Sequence, residues 1–151
     1  MSGGGNQDNW PFIKENGWLF LRGPVLNIDT GKRFGTIQDA IDDSETVNDH
    51  TIFVENGTYY ENVIIDKSIQ LIGQGRDVTI IDGGGINDVV MISANGVNIS
   101  GFTITNSRNM SSDAGIDLNG HGNCTIIDNN ISGNYYGIDT VSYTHLTLPT
   151  N

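Results

Sequence analysis

Gly96-Val97-Asn98-Ile99-Ser100-Gly101-Phe102-Thr103-Ile104 is answered 27 residues later by Asn123-Cys124-Thr125-Ile126-Ile127-Asp128-Asn129-Asn130-Ile131, with Ile99 over Ile126 and Ile104 over Ile131. One turn earlier, Ile69 and Leu71 match Val97 and Ile99 at an offset of 28. Val63, Val90, Ile116 and Ile138 open successive units at spacings of 27, 26 and 22, and Gly115-Ile116-Asp117 recurs literally as Gly137-Ile138-Asp139. A repeat of this length marks a solenoid, in which no turn can bury its apolar face alone.

Within each unit the apolar runs are short. They are Thr51–Val54, Val63–Ile65, Ser68–Ile72, Val78–Ile81, Val89–Ile92, Val97–Ile99, Phe102–Ile104, Gly115–Leu118, Thr125–Ile127, Asn130–Ser132 and Gly137–Ile138. Each is closed by Gly, Asn or Asp, residues that tolerate the left-handed conformation of a corner. Asn56-Gly57 is read as a turn pair. The pattern predicts an all-β fold with three short strands per turn and alternate Ile, Val and Leu pointing inward. Stacked Asn side chains are expected to hydrogen-bond in a ladder.

Thr36–Asp43 is the one convincing helix. Thr36 is its N-cap, and Ile37, Ala40 and Ile41 share one face. A helix this short must dock on something, and it is expected to cap the solenoid's first turn. Residues 1–33 form a poorly defined N-terminal segment without the basic and long apolar regions of a secretory signal. Residues 34–140 are the β-helix, with turns from 50 onward. Val141–Asn151 (VSYTHLTLPTN) breaks the repeat and looks like a translated sequencing adapter, so the chain is read as a truncated fragment. Its open last turn is expected to self-associate.

The net charge is −11, from 7 Lys+Arg against 18 Asp+Glu. That argues against nucleic acid as a partner, since phosphate backbones need a basic face. No apolar run is long enough to span a bilayer. The single Cys124 excludes an intramolecular disulfide and multi-Cys metal sites, and it aligns with Val97 and Ile69 as a buried small hydrophobe.

FGTIQDAIDD, then TIFVENGTYYENVIIDKSIQLIGQGRDVTIIDGGG, resembles the N-terminal cap and first turns of right-handed parallel β-helix (pectin-lyase-like) proteins, including pectinesterases. GIDLNGHGNCTIIDNNISGNYYGID is similar to repeats of NosD-type and archaeal or bacterial surface β-helix proteins. The resemblance implies an extracellular or cell-surface module, structural or in contact with a polysaccharide or cell-surface glycan. Its alternatives are a carbohydrate-active enzyme (lyase, esterase or glycosidase) whose catalytic turns are missing, and a periplasmic NosD-type accessory. The fold hosts many activities and does not choose among them. No catalytic residues are assigned. His50, His121, Met91 and Met110 make no visible copper site.

Asp117 and Asp139 hold the same place in successive turns and are expected to point outward about 4.8 Å apart. Such a pair is a candidate Ca²⁺ site, weighed against solvated surface and a glycosidase-like acid pair. The repeat fixes no third acid beside them, and without a cation one carboxyl should titrate high. Gly73-Gln74-Gly75 and Asp82-Gly83-Gly84-Gly85 are read as corners, since the first lacks the following helix of a dinucleotide site. One of each pair Tyr59-Tyr60 and Tyr135-Tyr136 should point inward. Asn56, Asn98, Asn109, Asn123 and Asn130 head Asn-X-Ser/Thr triplets, of which Asn109 alone is expected to be reachable.

Overall fold

The computed structural model describes residues 23–140. Strand β1 (Val25–Asn27) and β2 (Arg33–Phe34) are followed by helix α1 (Ile37–Asp42). Then three strands recur per turn. The first turn holds β3 (Thr51–Val54), β4 (Gly57–Tyr60) and β5 (Val63–Ile65); the second β6 (Gln70–Gly73), β7 (Thr79–Asp82) and β8 (Val90–Ile92). The third holds β9 (Asn98–Ser100), β10 (Thr103–Thr105) and β11 (Ala114–Asp117); the fourth β12 (Thr125–Ile127), β13 (Asn130–Ile131) and β14 (Tyr136–Asp139). Sheet I runs β12-β9-β6-β3-β1-β2, sheet II β13-β10-β7-β4 and sheet III β14-β11-β8-β5. All pairings from β3 onward are parallel, making a right-handed parallel β-helix.

The offsets in the sequence are the registers of the sheets. Ile52, Leu71, Ile99 and Ile126 stack in sheet I. Tyr59, Ile81, Ile104 and Ile131 stack in sheet II, and Val63, Val90, Ile116 and Ile138 in sheet III. The first three members of every stack are buried, and Phe102 fills the corner between sheets I and II. On the fourth turn, Ile126 and Ile131 are half-buried and Ile138 is 43% exposed. Cys124 continues the Ile69–Val97 column but is only half-buried.

Three expectations need correction. A strand at Gly57–Tyr60 was concealed by the Asn-Gly pair: Gly57 has φ 148°, a conformation that turns the corner and starts β4 in one residue. Part of the stretch set aside as 1–33 belongs to the solenoid, since β1 pairs antiparallel with β3 and with β2. Val78 lies outside its strand and is exposed; Thr79 and Ile81 are the inward residues of β7.

Sealing the first turn takes several polar contacts. Thr36 Oγ1 accepts from Asp39 N at 3.0 Å, and the Glu61 carboxylate accepts from Ile37 N and Gln38 N at 2.9 and 3.0 Å. These satisfy the open N–H groups of α1. Lys67 Nζ donates to Ile41 O and Asp43 O at the other end. Gln38 accepts from Ile64 N at 2.8 Å and donates to Ile64 O at 3.0 Å, so its amide stands in for a further strand beside β5. Buried Asn27 donates to Thr46 Oγ1 and accepts from Asp29 N and Thr30 N, tying the β1–β2 hairpin to the helix.

Between turns, the Asn ladder is built on main chain. Asn129 accepts from Phe102 N and donates to Ile99 O, both at 3.0 Å. Asn134 repeats this with Ser107 N and Ile104 O, again at 3.0 Å. Each such amide bridges the turn before it at both a donor and an acceptor, which a stacked Asn–Asn contact would not do. At one corner the turns come closest: a Cβ on Gly73 would lie 2.3 Å from Gly101 O, and one on Gly101 2.4 Å from Gly73 O. Gly101 also has φ 84°. Gly73 and Asp82 end β6 and β7, and the corners that were read there follow as Gln74-Gly75 and Gly83-Gly84-Gly85, with Gly84 and Gly85 in the left-handed region.

Candidate functional site

The outer face of sheet III carries a row in which apolar and acidic residues are stacked in register. Strands expose alternate residues, so Ile64, Met91, Asp117 and Asp139 follow one another across β5, β8, β11 and β14. Ile64 is exposed and the other three are half-buried. The corners entering these strands rise above the apolar half of the row. Asn62 leads into β5, Asn87 and Asp88 into β8, and Asp113 into β11. Together with Val63, Ile64 and Met91 they line a cleft of about 320 Å³.

The polar rim is held firmly. Asn62 Nδ2 donates to the carbonyls of Gly83 and Asp88 at 3.2 and 3.0 Å and also to that of Ile86. Thus one amide fixes the whole loop between β7 and β8. Asp88 Oδ1 accepts from Ala114 N at 2.7 Å, across 26 residues of sequence. Asp113 is 4% exposed and accepts from Arg108 Nε at 2.7 Å. This contact raises the Arg108 guanidinium further above its ordinary value. A buried carboxylate paired to a guanidinium at this distance is a strong, charge-assisted contact.

Electrostatics set the two inner carboxyls apart. Asp88 is raised above the usual carboxylate range, first by burial, then by repulsion from Asp117, Asp113 and Asp139, with the Ala114 N–H opposing. Asp117 is raised chiefly by burial and also by Asp139, while the Asn119 N–H and a hydrogen bond with Asp88 act the other way. Sequence alignment therefore places Asp117 beside Asp139 correctly but misses the third acid. Asp88 comes from the corner one turn before and meets Asp117. The signal was present: carrying the Val90–Ile116 offset of 26 back two residues sets Asp88 beside Ala114.

Among the described residues, no group of three or more His, Cys, Asp or Glu side chains is arranged to hold a metal ion. His50 and His121 precede β3 and β12, three strand spacings or about 14 Å apart along sheet I. His50 Nδ1 lies 3.2 Å from Asn27 Nδ2, and His121 Nδ1 lies 3.1 Å from Leu118 O. Met91 is on the sheet III face and Met110 on the exposed loop after β10. These four residues are not brought together. Tyr59 points inward and donates to Glu55 O at 2.6 Å, its phenol pushed up to about 12 by burial and then by Glu55 and Glu61. Tyr60 points out and is 75% exposed. Contrary to expectation, neither Tyr135 nor Tyr136 is buried; they pack edge to face with centroids 4.9 Å apart.

The family described as "Protein of unknown function (DUF1565)" matches residues 67–149, a stretch that takes in three of the four turns and extends into the segment read as an adapter. The chain belongs to the DUF1565 family. Among curated proteins, this DUF1565 chain is 35% identical over 119 residues to a "Cell surface glycoprotein" of Methanothermus fervidus. That alignment takes in 75% of the chain and 19% of the relative, so the chain spans about a fifth of that protein's length. Among solved structures it is similar to a pectin methylesterase crystallised with a hexasaccharide, at 19% identity and a TM-score of 0.42, over 66% of this chain and 43% of that one. Such a likeness says nothing of activity. Among the described residues, no helix is long and apolar enough to cross a membrane.

Proposed function

We propose that the DUF1565 chain is a β-helix module of a cell-surface protein and that its sheet III face contacts a neutral or amino-bearing glycan. The cleft carries the reading. Ile64 and Met91 offer an apolar floor for the C–H face of a sugar ring, while Asn87 and Asp88 stand at its edge where hydroxyls would lie. Such a mix of apolar floor and few convergent polar groups is what ligand sites share. The similarity to a cell surface glycoprotein supports the location. Asp88, Asp113, Asp117 and Asp139 on one face disfavour uronate polymers by like-charge repulsion, leaving neutral and amino sugars.

Calorimetric titration with neutral, amino-sugar and galacturonate oligosaccharides tests this. Binding of the first two classes, lost in Met91→Lys and weakened in Asp88→Asn, is the expected result. Silence with all three, or binding indifferent to Met91→Lys, would overturn it. A second reading places Ca²⁺ at Asp117 and Asp139, favoured by the mutual repulsion a cation would relieve. Two carboxylates leave Ca²⁺ short of its six to eight oxygens, so ligand hydroxyls or water must complete the shell. The same titrations with Ca²⁺ added decide it: heat dependent on both Asp residues supports the site.

A further inference from the structure

The described residues include fourteen asparagines, and their amides fall into two sets. Nine do not head an Asn-X-Ser/Thr triplet. Seven of these spend the side chain on the fold: Asn27, Asn48, Asn62, Asn95, Asn106, Asn129 and Asn134 each hydrogen-bond another residue through the amide. The other two, Asn87 and Asn119, have φ of 52° and 48°, where Asn is favoured for its backbone. The five that head triplets are Asn56, Asn98, Asn109, Asn123 and Asn130. None of their amides has a hydrogen bond among the described residues, although the same residue type is used as a structural clamp elsewhere in the molecule.

Composition alone does not produce that division. An Asn-rich solenoid generates triplets by chance, but chance would place some of them on clamping asparagines. Exposure separates the five further. Asn56, Asn109 and Asn130 are exposed, and so are the hydroxyl residues that complete their triplets, Thr58, Ser111 and Ser132. Asn98 is half-buried in mid-sheet between Gln70 and Thr125. Asn123 is exposed but has φ 58°, which by itself accounts for an Asn.

We propose that Asn56, Asn109 and Asn130 are acceptors of N-linked oligosaccharide, and that Asn98 and Asn123 are not. The co-substrate is an oligosaccharide on a polyprenyl phosphate or pyrophosphate. The amide Nδ2 attacks C1 of the reducing-end sugar, the C1–O bond to phosphate breaks, the lipid phosphate leaves, and the nitrogen loses one proton. Asn56 stands at the corner between β3 and β4, Asn109 on the loop between β10 and β11, and Asn130 in β13. All three border sheet II. No strand of sheet III contains an asparagine, and of the three acceptors Asn109 alone stands on a loop that enters that sheet. The inference takes from the preceding section only a location where such transfer occurs, and the test supplies that location itself.

The full chain is directed through the secretory route of a host that glycosylates Asn-X-Ser/Thr, and the folded monomer is collected. Enzymatic deglycosylation in heavy-oxygen water then marks each occupied Asn for mass spectrometry. The expected result is label at Asn56, Asn109 and Asn130 and none at Asn98 or Asn123 in the folded product. Absence of label at the three, failure of the labelled chain to fold, or equal label at Asn98 overturns the proposal. A second measurement does not depend on the host. Asn56→Gln, Asn109→Gln and Asn130→Gln should melt with the parent, whereas Asn129→Gln and Asn134→Gln should melt several degrees lower. If the first three lose as much as the last two, their amides are structural and the proposal falls. Oligosaccharide titration of the unglycosylated chain reports on the cleft separately, so the two readings fail independently.

Discussion

Replacing Gly73 by Ala should separate the second turn from the third. The new Cβ would lie 2.3 Å from Gly101 O and 2.9 Å from its carbonyl carbon. Both are main-chain atoms, so no side chain can swing aside. Reaching even 3.0 Å requires an opening of 3.0 − 2.3 = 0.7 Å. Across the seam between these two turns, Gly83 N–Thr105 O is 2.9 Å and Asn98 N–Ile69 O is 3.1 Å. Stretched by that amount, either leaves the range of a hydrogen bond. Overpacking costs about 1–3 kcal/mol and an unsatisfied buried amide about 1–3 kcal/mol more, so a loss of roughly 2–6 kcal/mol is expected. Gly35→Ala is the control: nothing lies within 4 Å of its Cβ and its φ is not positive. It should fall within about 0.5 kcal/mol of the parent. Urea unfolding followed by circular dichroism reads both, as a lower midpoint for Gly73→Ala or as a split transition, since turns couple only to neighbours. A Gly73→Ala midpoint equal to that of Gly35→Ala would refute the close-approach reasoning.

Two further outcomes follow from the acidic face and the cap. Asp88 and Asp117 titrate above their unfolded values, so their ionised forms oppose folding: stability is fullest below the unfolded carboxylate pKa and declines as pH rises through the raised folded one. Thermal melts should therefore rise on mild acidification from neutral pH, and Asp117→Asn should raise the melt at pH 7 and flatten that slope; an unchanged slope contradicts the assignment. Gln38→Ala removes both contacts to Ile64, costing roughly 1–2 kcal/mol, and hydrogen exchange at the Ile64 amide should quicken selectively; equal protection in parent and variant would show that the amide is held otherwise.

What could be read from the sequence was whatever repeats. Ile99 over Ile126 and Asp117 over Asp139 are statements about period, and the registers reproduce them. What escaped reading breaks the period. The β1–β2 hairpin is antiparallel and occurs once, so no offset announces it. Gly57 serves two elements at once, and a turn signal masked a strand. Asp88 meets Asp117 from a corner, whose geometry the strand offset locates only when carried beyond the strand's end. The ladder was anticipated, but its partners were not: an Asn amide finds main-chain groups left open by the corners, and which corners leave them open depends on the fold of each loop. For the same reason the expectation that Asn109 alone is reachable fails, since Asn56 and Asn130 are exposed as well.

The sealed first turn also has a bearing on synthesis. A ribosome releases this chain from its N-terminus, and domains generally form in that order. The β1–β2 hairpin, α1 and Gln38 are thus made before most of the strands they protect. Once Gln38 has closed the outer side of β5, each later strand of sheet III finds one vacant partner edge, on the turn just finished. Register is then chosen locally, one addition at a time, and in sheet III a nascent intermediate has its growing edge to shield from other chains.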